Sequence, residues 1–164
     1  MADNRFLDRI NTQIKSKKPF VLYSDFGEQS MQALFQLDAK AHKTSFYPES
    51  GFVFAPFDLD LPTYIIPTAS SERLHIDEIP DYPTALEYLA KTSESTSHKH
   101  LIQKAIETIN TSELKKVVLS RSASVTFPKV DILALYLSLV KAYPKAYTYC
   151  WFHPKTGFWL GASP

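Results

Sequence analysis

Lys116 opens the inventory of residues that suit chemistry. It lies in the stretch Lys115-Lys116-Val117-Val118-Leu119-Ser120-Arg121, apolar and β-branched in the middle and charged at both ends. A lysine acts as a general base only when burial or a nearby cation draws its pKa from ~10.4 toward neutrality. On a strand, Lys116, Val118 and Ser120 share one face, and Val117, Leu119 and Arg121 share the other. The Lys116 face is small and mixed, as a site-lining face would be. The plainer reading makes Lys115 and Lys116 solvated charges that protect a sheet edge. Arg121 can grip an anion through paired hydrogen bonds, or hold a structural ion pair at the strand end. Gly161, Ala162 and Ser163 follow an apolar strand and permit close approach of backbone to a ligand, or form a tight turn before Pro164.

The remaining candidates are weaker. His98 and His100 stand two apart, too few for a metal site on their own. Asp58 and Asp60 flank Leu59, where a cation or simple surface alternation explains them. Cys150 sits among Tyr147, Tyr149, Trp151 and Phe152 and reads as core. There is no Gly-rich phosphate loop and no serine nucleophile elbow.

The elements that must position these residues follow from periodicity. Residues 4–16 place Phe6, Leu7, Ile10 and Ile14 on one helical face, and Pro19 bars continuation. Strands are expected at 20–23, 31–37, 51–55 and 63–66, with turn residues between them. Residues 70–81 look polar and irregular. Thr84 and Glu87 form a capping box for a helix over 84–91, and 92–97 looks like a linker. A helix is expected over 98–110, then the strand at 115–121, then a helix from an Asp131 cap through Tyr143. Strands at 146–152 and 158–160 flank a hairpin loop.

Bulk properties narrow the function classes. The 164 residues are 45% hydrophobic and 21% charged, an ordinary globular balance able to bury a sizeable core. The net charge is +1 and the longest basic run is residues 15–18, which argues against a nucleic-acid surface. One cysteine excludes an intrachain disulfide and fits a reducing compartment. No apolar run approaches ~20 residues and the N-terminus is polar, so neither a membrane span nor a signal peptide is expected. A soluble cytoplasmic protein follows as the expectation.

Two stretches together resemble a known family. Lys116-Val117-Val118-Leu119-Ser120-Arg121, preceded by Ala105-Ile106-Glu107-Thr108-Ile109, resembles the opening of the catalytic region of chorismate-utilising enzymes. Trp151 and Gly157-Phe158-Trp159-Leu160-Gly161-Ala162-Ser163-Pro164 are similar to the next shared motif, which in the family reads on as Gly-Ala-Ser-Pro-Glu. The resemblance covers residues 97–164, the start of a catalytic region. Residues 1–96 are then a divergent N-terminal part of what is expected to be one structural unit. Within it, Gly51-Phe52-Val53-Phe54-Ala55-Pro56-Phe57 is similar to isochorismate synthases.

The resemblance implies an α+β fold of layered antiparallel sheets with outer helices. It implies that Lys116 is the base that deprotonates water, because members that add ammonia carry glutamine there. It further implies chorismate as substrate, Mg2+ as cofactor, and Gly161, Ala162 and Ser163 at the substrate. The proton-donating glutamate is expected directly after Pro164 and the metal ligands further on, so this chain is expected to be an inactive, truncated isochorismate synthase that self-associates. Salicylate or anthranilate synthase chemistry is the neighbouring reading. A complete, non-enzymatic ligand-binding module is the reading of another class. The pathway, menaquinone or siderophore synthesis, is left open.

Overall fold

The computed structural model describes residues 2–27, 30–45, 49–80, 82, 96–125 and 130–163. It divides into two compact units, Met1–Thr84 with Asp131–Pro164, and Ala85–Val130. Each is described by itself.

The first unit is built on a five-stranded antiparallel sheet. Its strands are β1 (Phe20–Ser24), β2 (Met31–Gln36), β5 (Ser71–Ile76), β6 (Tyr147–His153) and β7 (Gly157–Ser163), in the order β5-β2-β1-β6-β7. A separate hairpin pairs β3 (Gly51–Phe54) with β4 (Tyr64–Pro67). Two helices, α1 (Ala2–Lys15) and α3 (Ile132–Ala142), complete the unit. Helices and antiparallel strands together make the fold α+β.

Period-two alternation divides the sheet into two buried faces. Phe20 and Leu22 of β1, Met31, Ala33 and Phe35 of β2, and Cys150 of β6 pack against Phe6 and Ile10 of α1 and Tyr136, Leu137 and Val140 of α3. The intervening residues Val21, Leu34 and Trp151 point the other way, onto Ile66, Phe52, Phe54 and Tyr64 of the β3–β4 hairpin. The sheet is thus covered by helices on one side and by a β-ribbon on the other. Both faces need apolar side chains, and this explains why β1 reads Phe-Val-Leu-Tyr without a polar gap.

Helix ends follow the chemistry expected of them. The Asp131 carboxylate accepts the Ala134 N–H at 3.0 Å and caps α3, and its second oxygen accepts the Tyr82 hydroxyl at 3.1 Å. Gln13, fully buried on α1, donates to the carbonyls of Pro19 and Gln36 at 2.9 and 2.6 Å and accepts from Arg9. Arg9 also pairs with Glu72 at 2.7 Å and lies 5.0 Å over the Phe35 ring, tying α1 to β2 and β5.

The second unit contains α2 (Thr96–Thr111), which begins inside the stretch expected to be a linker. The helix expected over 84–91 lies outside the described residues.

Two expectations are corrected here. Residues 71–76, expected to be irregular, form β5. As an edge strand it turns Arg73 and His75 outward, so its polar composition hides its inward positions Leu74 and Ile76. Residues 115–121, expected to be a strand, have no regular secondary structure. Val118 is 82% exposed. A strand exists only through a partner that takes its N–H and C=O groups, and no described strand pairs with this segment.

Candidate active site

Lys116 stands in the second unit, in the stretch without regular secondary structure that follows α2, with its side chain exposed. Val118 and Ser120, expected to share its face, are exposed as well.

Gly161, Ala162 and Ser163 lie in the first unit, at the end of the edge strand β7. They pair with Tyr149, Thr148 and Tyr147 of β6, so the proposed tight turn is not formed; these residues continue the sheet. Ala162 and Ser163 are exposed, while Gly161 is partly covered. The cover is the Tyr149 ring. A Cβ placed on Gly161 would come within 2.6 Å of the ring carbon Cζ, far inside contact distance. Glycine at 161 thus lets a cross-strand aromatic side chain lie over the bare backbone of its partner, and a larger residue would have to displace that ring.

The turn joining β6 to β7 is fixed by its own hydrogen bonds. The Lys155 N–H donates to His153 Nδ1 at 3.0 Å, and the Thr156 N–H donates to the His153 carbonyl at 3.1 Å. Trp151 Nε1 donates to Thr156 Oγ1, and Trp159 Nε1 donates to the Thr156 carbonyl, both at 2.9 Å. Gly157 takes a φ of +76°, which a side chain would oppose.

His153 is the polar residue that the sequence reading passed over as part of a loop. It is 1% exposed, lies 4.6 Å from the Tyr64 ring and stacks on Trp151. Because Nδ1 accepts a hydrogen bond, the neutral ring carries its proton on Nε2, and that nitrogen has no hydrogen-bond partner among the described residues. Burial, with Lys155 and His42 adding positive charge, holds its pKa below the ordinary histidine value. The signal was available: Tyr149, Trp151 and His153 alternate on one strand face, so the last should be as buried as the second.

The other candidates take structural places. Cys150 is core, and burial pushes its thiol up to about 12. Asp58 Oδ1 accepts the Asp60 N–H at 3.0 Å in an exposed bend. Among the described residues no three histidine, cysteine or carboxylate side chains gather in a way that could hold a metal ion. The magnesium implied by the resemblance thus has no ligand set there.

Comparison with known proteins decides the family. A family profile described as chorismate binding enzyme matches residues 9–164. The chain belongs to the chorismate-binding enzyme family. The match runs through both compact units and well beyond residues 97–164, where the motifs lie. No curated protein and no solved structure gives a significant match. A chorismate-binding enzyme acts on chorismate. No helix among the described residues is long and apolar enough to cross a membrane.

Proposed function

We propose that this chorismate-binding enzyme is an isochorismate synthase and that Lys116 is its base. The observation that carries the reading is lysine at position 116, inside the Lys-Val-Val-Leu-Ser-Arg motif of a chain that belongs to the family. Water addition needs a group that takes a proton from water, whereas ammonia is already nucleophilic. In the reaction, Lys116 accepts a proton from water as its oxygen bonds to C2. The ring double bonds shift, the C4–O bond breaks, and the hydroxyl departs with a proton from an acid. Gly161, Ala162 and Ser163 offer backbone to the substrate at the end of β7. The requirement for Mg2+ belongs to the same proposal, and no step here is routed through it.

The exposure of Lys116 carries a consequence. If Lys116 is the base, turnover requires surroundings that take its side chain out of water. Losing one member of an acid–base pair typically costs ~10²–10⁴ in rate. Chromatography of chorismate incubated with the protein and with its Lys116→Gln variant tests the proposal. The expected result is isochorismate from the unaltered protein and none after Lys116→Gln. Isochorismate made at an unchanged rate by Lys116→Gln removes Lys116 from the mechanism. Salicylate with pyruvate, or anthranilate in the presence of ammonia, assigns the protein to the neighbouring chemistry instead.

A further inference from the structure

One histidine ring holds the β6–β7 turn, and both tryptophans of the chain are fastened to that turn. The Lys155 N–H donates to His153 Nδ1 at 3.0 Å. The next residue, Thr156, accepts Trp151 Nε1 on its hydroxyl and Trp159 Nε1 on its carbonyl, both at 2.9 Å. The sequence has two tryptophans, so each of them reports on this turn. Lys155, Thr156 and Trp159 also line one side of a cleft beside the β3–β4 hairpin.

The hydrogen bond from Lys155 exists only while His153 is neutral. In an imidazolium both ring nitrogens carry hydrogen and neither accepts. Protonation would therefore set two donors against each other at 3.0 Å. It would also charge a ring that is 1% exposed, and a buried charge is costly unless it is paired.

The groups around the ring supply no such pair. Lys155 on its own turn and His42, which precedes the hairpin, both bring positive charge. Tyr64 of β4 presents its ring at 4.6 Å. The Asp38 carboxylate pairs with His42 at 3.3 Å, and among the described residues His153 makes no ion pair. Trp151, on which His153 stacks, is fully buried, whereas Pro154 and Lys155 are exposed. The turn is thus the side on which a charged ring can reach water.

We propose that His153 is a pH-operated latch on the β6–β7 turn: its protonation breaks the Lys155 hydrogen bond, opens the turn and frees both indole N–H groups from Thr156, while the five-stranded sheet stays paired. The latch changes the side of the cleft that Lys155, Thr156 and Trp159 form. It depends on neither Lys116 nor the reaction assigned to the protein.

Nitrogen-15 spectra of the full chain, recorded between pH 7.5 and 5, test it. At the upper limit the His153 ring should show the tautomer protonated at Nε2. On acidification the ring, the Lys155 amide and both indole signals should shift with one common midpoint, below the ordinary histidine value of about 6.5. The amides of β1 and β2 should keep their native positions throughout. His153→Asn offers an acceptor oxygen and does not titrate, so its indole signals should stay fixed across the range. His42→Gln should keep the transition and raise its midpoint, because one source of positive charge is gone. Indole signals that stay still while the ring titrates overturn the proposal, as does a shift that persists in His153→Asn. Loss of the β1 and β2 signals at the same midpoint also overturns it, since the whole sheet would then be unfolding. Should His153→Asn fail to fold, the unaltered protein still decides: different midpoints for the ring and the indoles refute the latch.

Discussion

Replacing Gly161 by alanine separates a packing role from a ligand role at the most suggestive stretch of the chain. The added methyl would sit within 2.6 Å of Tyr149 Cζ, so either β7 shifts or the ring swings away. The ring is the mobile partner, being the far end of a partly exposed side chain. Swinging it out forfeits its edge contact with Phe54 at 6.5 Å and its tilted contact with Phe52 at 6.5 Å. Aromatic pairs are worth about 0.5–1.5 kcal/mol each, so Gly161→Ala should cost about 1–3 kcal/mol. For a protein of this length that is roughly 2–12 °C in Tm. The decisive assay is a double-mutant cycle with Tyr149→Ala, followed by calorimetry or urea melts. Without the ring, alanine at 161 has room and loses less backbone entropy than glycine, so the second substitution should be neutral or stabilise by up to about 1 kcal/mol. The coupling between the two sites should therefore exceed ~1 kcal/mol. If Gly161→Ala costs the same with and without the tyrosine ring, the close approach is not what selects glycine. The backbone's use by a ligand would then be the better explanation.

The burial of neutral His153 ties stability to pH. Its folded pKa lies below the unfolded value of about 6.5, so its contribution is complete above that value and is lost as the pH falls through it toward the lowered folded pKa. The Tm should fall between pH 7.5 and 5.5, and His153→Phe should flatten that dependence; an equal slope in the variant would refute the assignment. Cys150, with its thiol raised to about 12 by burial, should resist a thiol-specific disulfide reagent at pH 8 and react fully in denaturant. Rapid reaction of the native protein would contradict its placement. Asp131→Ala removes both the α3 cap and the acceptor for Tyr82, and should lower the urea midpoint by about 0.5–2 kcal/mol equivalent, with Asp131→Asn recovering most of it. Gln13→Ala leaves buried carbonyls short of a donor and opens a cavity. It should cost about 2–4 kcal/mol, and a loss under 1 kcal/mol would show that the Arg9–Gln13 linkage is not a structural tie.

Sequence periodicity located α1, β1, β2, β6, α3 and its Asp131 cap because each is defined by contacts local to itself, or by a core face that its own residues advertise. Two misses have a common cause. The segment at 71–76 has a polar outward face and earned its strand only through pairing with β2. The segment at 115–121 has the better strand composition and no described partner, so it forms no strand and stays largely exposed. Propensity describes what a segment tolerates, while pairing decides what it becomes. The same division governs the candidate site. Lys116 was legible as a residue type inside a motif, and that motif lies within the family match along residues 9–164. Its chemistry was not legible, because a lysine becomes a base through desolvation, and desolvation is a property of whatever packs around it. His153 shows the converse. No motif marks it and only the alternation with Tyr149 and Trp151 hints at its burial, yet the sheet removes it from water, leaves one ring nitrogen without a partner among the described residues and lowers its pKa. Packing perturbs the histidine that no motif named and leaves the motif's lysine in water. The Lys116 proposal therefore stands or falls on whether turnover depends on that side chain when it is buried.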